Sequence, residues 1–320
     1  MTKDRLSAGR PFSRREVLAL GVGIGAAAAL HNAPAFGAAA PLLTRPIPRT
    51  GEQLPAIGIG TSIVFDIGDD AARRAERRAV IRTMLDGGAR LIDTAPSYGT
   101  AETVVGDLLA EMKVRDRVFV ATKVRATGRD GAINEMQQSL RRLRTDKLDL
   151  MQLHNIGASA GEAAAQIDLL REWKDRGVFR YIGFTHFRES ANEQVIAAMQ
   201  REKLDFVQVN YSLAERSVEQ RLLAVAADTG TAVLVNLPFG RGRLFAAVRG
   251  RRLPEWAAEF DAASWGQFFL KYILAQQAVT CVIPGTDKPE YMLDNLNAGR
   301  GRLPDAAMRR RMVELWESLG

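Results

Sequence analysis

Four side chains that could move a proton stand close to the ends of three successive apolar segments. Asp93, Lys123 and His154 each end an apolar run, and Tyr98 follows Asp93 in a turn rich in proline and glycine. An unperturbed phenol has a pKa of about 10, and a nearby ammonium lowers it. The set predicts a tyrosine proton donor supported by Lys123, with Asp93 as counter-ion and His154 as hydrogen-bonding partner or proton relay.

Each of these residues, taken alone, also has a purely structural interpretation. Tyr98 could pack within its turn, Lys123 could extend to solvent, and His154 could be a hydrogen-bonded core residue. The carboxyl ends of parallel barrel strands meet on one face, so residues at successive strand ends converge there. The four types together at such positions therefore favour a functional interpretation.

The elements that must position these residues alternate between two patterns of apolar spacing. Short apolar runs predict strands at 56–60, 91–94, 118–123, 148–154, 181–185, 206–211, 232–237 and 279–283. Helical spacing predicts helices at 70–86, 133–143, 167–174, 193–201, 218–227, 265–275, 290–296 and 305–319. We expect an α/β fold, a (β/α)8 TIM barrel over residues 41–320, preceded by a β-hairpin at 44–51. An open doubly wound sheet is the alternative, but Gly58–Thr61 lacks the glycine-rich phosphate turn it requires.

Residues 1–40 have the composition of a targeting segment. Ser13-Arg14-Arg15 precedes an apolar run, 17–30, that is rich in glycine and alanine and short for a membrane span. Small residues at Ala33 and Ala35 are suited to cleavage by a signal peptidase. The segment resembles a twin-arginine (Tat) export signal, which implies a periplasmic protein. A surface helix and an uncleaved membrane anchor are the alternatives.

The amino-acid composition limits the classes of molecule that the protein is expected to bind. A net charge of +7 over 320 residues and 7% aromatic residues give little support for nucleic-acid binding. The single cysteine, Cys281, excludes an intrachain disulfide, and three histidines with one cysteine predict no metal site. We expect a monomer that uses the Tat export machinery.

The order Asp93, Tyr98, Lys123, His154 resembles the catalytic tetrad of the aldo/keto reductase family. The resemblance extends over about 44–298 and includes the segment Ile283-Pro284-Gly285-Thr286. It implies hydride transfer between a nicotinamide cofactor and a small carbonyl or alcohol substrate, such as an aldehyde, ketone or sugar, with NADP(H) favoured and NAD(H) as the other cofactor. A non-catalytic cofactor-binding or regulatory protein on the same fold is an alternative. A lyase that forms a Schiff base through Lys123 is another.

The resemblance also implies a set of ligand contacts. The residues expected to bind the cofactor are Gly60, Thr61, Thr185, His186, Gln208, Pro238, Gly240, Arg241, Arg243, Gly285, Thr286, Lys288, Asp294 and Asn295. Within this set, Thr185 and Gln208 are expected to hold the nicotinamide carboxamide. Phe65 and Asn155 are expected to line the substrate pocket.

Four positions depart from the family pattern. His186 replaces an asparagine, and Asn236 replaces an aromatic residue that stacks on the nicotinamide ring in many members. Many NADP-preferring members carry a lysine and an arginine where this chain has Gly285 and Tyr291. We therefore expect weak discrimination between NADP and NAD.

Overall fold

The computed structural model describes residues 40–155 and 160–319. Ala39–Gly320 form one compact unit. Apart from Ala40, the predicted export signal lies outside the described residues. Within the described part of the chain, no helix combines the length and the apolarity needed to span a bilayer.

Eight parallel strands follow one another around a barrel, and an antiparallel hairpin precedes them. The hairpin is β1 (Thr44–Pro46) with β2 (Gln53–Pro55), and the barrel strands are β3 (Gly58–Gly60), β4 (Leu91–Asp93), β5 (Phe119–Val124), β6 (Leu148–Leu153), β7 (Phe179–His186), β8 (Phe206–Asn210), β9 (Ala232–Asn236) and β10 (Val279–Val282). Parallel bridges from Ile57 to Val282 and from Gly60 to Gly285 join the last strand to the first. The predicted barrel and hairpin are confirmed, and the open-sheet alternative is wrong.

Helices on the outside connect successive strands. They are α1 (Ala71–Asp86), α2 (Ala101–Met112), α3 (Arg129–Arg142), α4 (Ala160–Asp175), α5 (Asn192–Glu202), α6 (Leu222–Thr229), α7 (Arg243–Ala247), α8 (Trp265–Leu274), α9 (Pro289–Ala298) and α10 (Ala306–Glu317). The predicted list omitted α2, whose buried Val104, Val105, Leu108 and Leu109 have ordinary helical spacing. The predicted helix at 218–227 is divided into a 3₁₀ turn, Ser217–Glu219, and α6.

Alternate residues of each strand face the barrel axis, and this alternation positions the site. Leu91, Ala121, Leu150 and Phe206 belong to one buried cluster inside the barrel, closed from below by the hairpin residues Ile47 and Leu54. Successive strand residues point to opposite faces. The residue two positions after each of those four strand residues therefore also points inward, nearer the carboxyl end. Those residues are Asp93, Lys123, Gln152 and Gln208.

Candidate active site

The centre of the site is a buried ion pair between β4 and β5. The Lys123 ammonium donates to Asp93 Oδ2 at 2.6 Å and to the Thr94 carbonyl oxygen at 2.9 Å. Burial lowers the pKa of the Lys123 ammonium, but the negative charge of Asp93 and the phenol of Tyr98 outweigh burial and raise it above its usual value. Lys123 therefore stays charged at neutral pH.

The second oxygen of Asp93 accepts hydrogen bonds from two barrel-lining amides. Gln208 Nε2 donates to Asp93 Oδ1 at 2.8 Å, and Gln152 Nε2 donates to the same atom at 3.1 Å. The sequence predicts that the Gln208 side chain contacts the cofactor. In the structure, one of its amide hydrogens is instead directed at Asp93. Gln152 was missed by the sequence analysis, although an amide in a strand whose other residues are apolar except for Asp149 was a visible signal.

Tyr98 and His154 complete the group. The Lys123 Nζ atom lies 4.9 Å from the centroid of the Tyr98 ring. The imidazole of His154 meets that ring edge-on, with centroids 6.0 Å apart and an interplanar angle of 88°. The structure therefore brings all four predicted catalytic residues together at the carboxyl end of the barrel.

Burial and the nearby Lys123 and Arg125 charges lower the pKa of His154 to about 3. The imidazole is therefore neutral at physiological pH and has one N–H donor and one acceptor nitrogen. Its Nδ1 atom is buried and has no protein partner. A neutral imidazole suits a residue that hydrogen-bonds a substrate oxygen.

The turn that carries Tyr98 is fastened to the loop that follows β3. Asp66 Oδ1 accepts from the Thr100 backbone N–H at 2.9 Å and from its hydroxyl at 2.8 Å. Gly99 has φ +59°, and a Cβ there would lie 2.4 Å from the Asp66 carboxylate. A glycine is therefore required, and Asp66 joins the loop after β3 to the turn that carries Tyr98.

A cavity of about 530 Å³ opens above this group. Asp93, Tyr98 and His154 lie on its wall, while Lys123 lies behind them. Eight of the expected ligand-binding residues also line it: Gly60, Thr61, Asn155, Thr185, Gln208, Pro238, Arg241 and Gly285. Apolar side chains that the sequence analysis did not assign to the site form much of the remainder: Ile63, Val64, Phe187, Leu237 and Phe239.

Phe65 does not line the cavity, so that prediction is wrong. Its ring is 0% exposed and packs in the core. The turn after β3 directs Phe65 inward and leaves its neighbours Ile63 and Val64 at the cavity wall. Phe65 was predicted because it is an apolar residue of this loop, and residue type alone does not determine which way a loop side chain points.

The remaining expected cofactor residues lie away from the cavity wall. Thr286 and Asn295 are buried and bond each other, with Asn295 Nδ2 donating to Thr286 Oγ1 at 3.0 Å. Asp294 accepts from Ser264 Oγ and Gln267 Nε2, both at 2.7 Å, and so joins α9 to the start of α8. Asn295 thus holds Thr286 in place, and the contact of Thr286, Asp294 and Asn295 with a cofactor stays a prediction.

The other residues in this group are nearer to solvent. Arg243 Nη2 lies 3.4 Å from Glu215 Oε1, and the exposed Lys288 ammonium lies 5.6 Å from the ring centroid of Tyr291. His186 Nδ1 accepts from the backbone N–H of Arg188 at 3.1 Å. Gly240, with φ +55°, lies in the loop after β9. As cofactor contacts these residues also stay predictions.

No group of three or more histidine, cysteine or acidic side chains that could hold a metal ion occurs among residues 40–155 and 160–319.

Comparison with known proteins identifies the chain as an NAD(P)H-dependent oxidoreductase. The aldo/keto reductase family profile matches residues 56–316, and the chain belongs to that family.

Three known proteins illustrate the likeness. Aldo-keto reductase YhdN of Bacillus subtilis is 32% identical over 228 residues, which are 66% of this chain and 65% of YhdN, slightly under two thirds of its length. Methylglyoxal reductase YeaE of Escherichia coli is 32% identical over 237 residues, 72% of this chain and 80% of YeaE. A Klebsiella pneumoniae aldo/keto reductase, solved with NADP and acetate, has a TM-score of 0.69 at 25% identity, covering 83% of this chain and 93% of that one.

Proposed function

We propose that this protein transfers hydride between a nicotinamide cofactor and the carbonyl of a small aldehyde, ketone or sugar, with Tyr98 as the proton donor. The observation that carries the proposal is the connected group at the cavity floor. Asp93 holds the Lys123 ammonium at 2.6 Å, and that ammonium lies 4.9 Å from the Tyr98 ring centroid. A carbonyl oxygen that gains negative charge needs a proton or a positive charge at such a position.

The wall of the cavity suits a nicotinamide nucleotide. The amide oxygen of Asn236 is buried there without a protein partner, and the Thr185 hydroxyl lies on the same wall. Arg241 and the backbone at Gly285 are suited to phosphate oxygens. The volume lies within the usual range of about 300–1,000 Å³ for ligand sites. When bound, the reduced nicotinamide supplies the hydride.

The protein residues handle the proton. Tyr98 donates its hydroxyl proton to the substrate oxygen, and the Lys123 ammonium stabilises the phenolate that remains. Asp93, held by Gln152 and Gln208, keeps Lys123 in place. Neutral His154 directs an N–H at the same oxygen and so orients the carbonyl.

Replacing the phenol tests the assignment. Tyr98→Phe is expected to lower carbonyl reduction by about 100- to 10,000-fold, because a positioned general acid is lost. NADPH binding, followed by fluorescence titration, should remain. Tyr272→Phe is the matched control, since its hydroxyl bonds Glu219 outside the cavity. Unchanged turnover in Tyr98→Phe would contradict the role of the phenol. A wild-type protein that binds NADPH without reducing carbonyls would instead support the non-catalytic alternative.

The proposed cofactor is NADP(H), as in the Klebsiella structure, with NAD(H) also accepted. The chain has Gly285 and Tyr291 where many NADP-preferring members carry basic residues. Direct titration should therefore show similar affinities for NADPH and NADH. NADPH binding more than about a thousandfold tighter, roughly 4 kcal/mol, would show that other residues bind the 2′-phosphate.

We also propose export through the Tat route, supported by Ser13-Arg14-Arg15 and the apolar run at 17–30. Fractionation of cells that express the wild type and an Arg14→Lys, Arg15→Lys double variant tests this. The wild type should reach the periplasm shortened, while the double variant should stay in the cytoplasm and still bind the cofactor. A wild type that keeps its first 35 residues in the cytoplasm would contradict the proposal.

A further inference from the structure

Ile63 adopts a backbone conformation that its side chain disfavours. Its φ is +69°, in the left-handed region, where a branched Cβ crowds the backbone. Of the non-glycine residues with positive φ in the described part of the chain, Ile63 alone is β-branched. The side chain is also 77% exposed, so the protein core gains little from it. Neither folding nor packing accounts for an isoleucine at this position.

The neighbours of Ile63 hold it in this conformation. The Thr61 backbone N–H donates to the Asp93 carbonyl oxygen at 3.0 Å, and the Phe65 N–H donates to the Thr61 carbonyl at 3.0 Å. Phe65 is buried, and the buried Arg77 guanidinium donates from Nε to the Val64 carbonyl oxygen at 2.7 Å. The turn is thus fixed on both sides, and a different residue at position 63 would be held in the same place.

Ile63 is also one of the residues that line the cavity. With Val64, Phe187, Leu237 and Phe239, it supplies apolar surface to a wall whose base carries Tyr98 and His154. A carbonyl held at that base would direct its substituent along this surface. Apolar contact with a substituent is the interaction that an exposed isoleucine can make.

We propose that Ile63 is a specificity-determining residue that contacts an apolar substituent of the substrate. The inference rests on the proposed function and narrows its substrate class to aldehydes and ketones with an alkyl or aryl group, rather than sugars. Conformational strain concentrates at functional positions, where the surrounding structure maintains it. Here the maintained strain presents an apolar side chain at the cavity.

The test compares Ile63→Gly and Ile63→Leu with the full-length wild type. Glycine relieves the left-handed strain and removes the side chain, whereas leucine keeps an apolar side chain. Lys203→Gly is the matched control, because Lys203 has φ +50° after α5 and lies off the cavity wall. The measured quantity is the ratio of kcat/KM for hexanal to that for propanal.

Ile63→Gly should lower this ratio about tenfold, the order of effect expected when an apolar contact is lost from a pocket. Ile63→Leu should retain most of it, and Lys203→Gly should leave it unchanged. An unaltered ratio in Ile63→Gly would overturn the inference. The melting temperature of Ile63→Gly should not fall below that of Lys203→Gly, and a drop of several degrees would show that Ile63 packs against the protein instead.

A binding measurement separates this inference from the proposed reaction. Hexanamide and acetamide present carbonyls that the protein is not expected to reduce, and calorimetry in the presence of NADP⁺ measures their binding without turnover. Hexanamide should bind more tightly than acetamide to the wild type, with the difference reduced in Ile63→Gly. Equal binding by the wild type would overturn the apolar contact. Hexanamide selectivity that depends on Ile63, without any aldehyde reduction, would refute the reaction and retain the contact.

Discussion

Removal of the Lys123 charge should reveal how strongly the buried ion pair is coupled to folding. The Lys123 and Asp93 side chains are 1% and 3% exposed, and their charged atoms lie 2.6 Å apart. Lys123→Met keeps the length of the side chain and deletes the ammonium, leaving Asp93 Oδ2 without its cation. Breaking a buried pair by removing one partner typically costs about 3–5 kcal/mol, because an uncompensated charge remains in the interior.

A second substitution distinguishes the loss of side-chain packing from the cost of leaving the Asp93 charge buried without a partner. In Lys123→Met with Asp93→Asn, neither charge remains, and the amides of Gln152 and Gln208 still have an oxygen at position 93 to bond. The double variant should therefore recover about 2 kcal/mol relative to Lys123→Met alone. The Asp93→Asn single variant completes the set, and all three variants should lose carbonyl reduction, since each removes part of the support for Tyr98.

The wild type, the two single variants and the double variant form a double-mutant cycle. Urea unfolding at neutral pH, followed by circular dichroism, gives the free energy of unfolding of each. Because the folded state raises the pKa of Lys123 above its ordinary value, the stabilisation by its charge is present at neutral pH. It should be lost only as the pH rises past about 10.4 and through the raised value. A loss below about 1 kcal/mol in Lys123→Met, or additive effects in the double variant, would refute a strongly coupled pair.

Two further substitutions test pH dependence, and one tests the core. The folded state holds the pKa of His154 at about 3, so the wild type should lose stability as the pH falls from about 6.5 towards 3. Urea unfolding at pH 7 and at pH 5 should show a larger loss for the wild type than for His154→Gln. Burial lowers the pKa of Lys271 to about 8, so the wild type should lose stability relative to Lys271→Met as the pH falls from about 10.5 to 8. Phe65→Ala should cost about 3–5 kcal/mol of unfolding free energy, whereas an exposed position would cost little.

The strands, and Asp93, Lys123 and His154 at their ends, could be predicted because they depend on local periodicity, whereas Tyr98 lies in the turn after β4 and was predicted from its residue type and its place after Asp93. Apolar runs of strand length mark the barrel, and the last inward position of each strand is set by alternation from Leu91, Ala121 and Leu150. Asp93 and Lys123 therefore had to meet once the strands were parallel and adjacent. Helix α2 carried the same kind of local signal, although it was omitted from the predicted list.

Loop side chains could not be assigned in this way. Whether Phe65 or Ile63 faces the cavity depends on a turn that places Ile63 at φ +69°, and no periodicity extends through such a turn. The same holds for the hydrogen-bonding partners of Gln208. Its inward direction follows from the strand, but its bond to Asp93 depends on how far apart two strands lie across the barrel.

The sequence by itself determined the barrel, the order of its strands and the residue types at their carboxyl ends, because alternation and strand length are properties of the local chain. The tertiary structure alone decided that Gln152 and Gln208 both hold Asp93, that His154 is buried enough to remain neutral, and that Ile63 lies at the cavity wall. Each of these depends on distances and burial between segments far apart in the chain, which local sequence patterns do not specify.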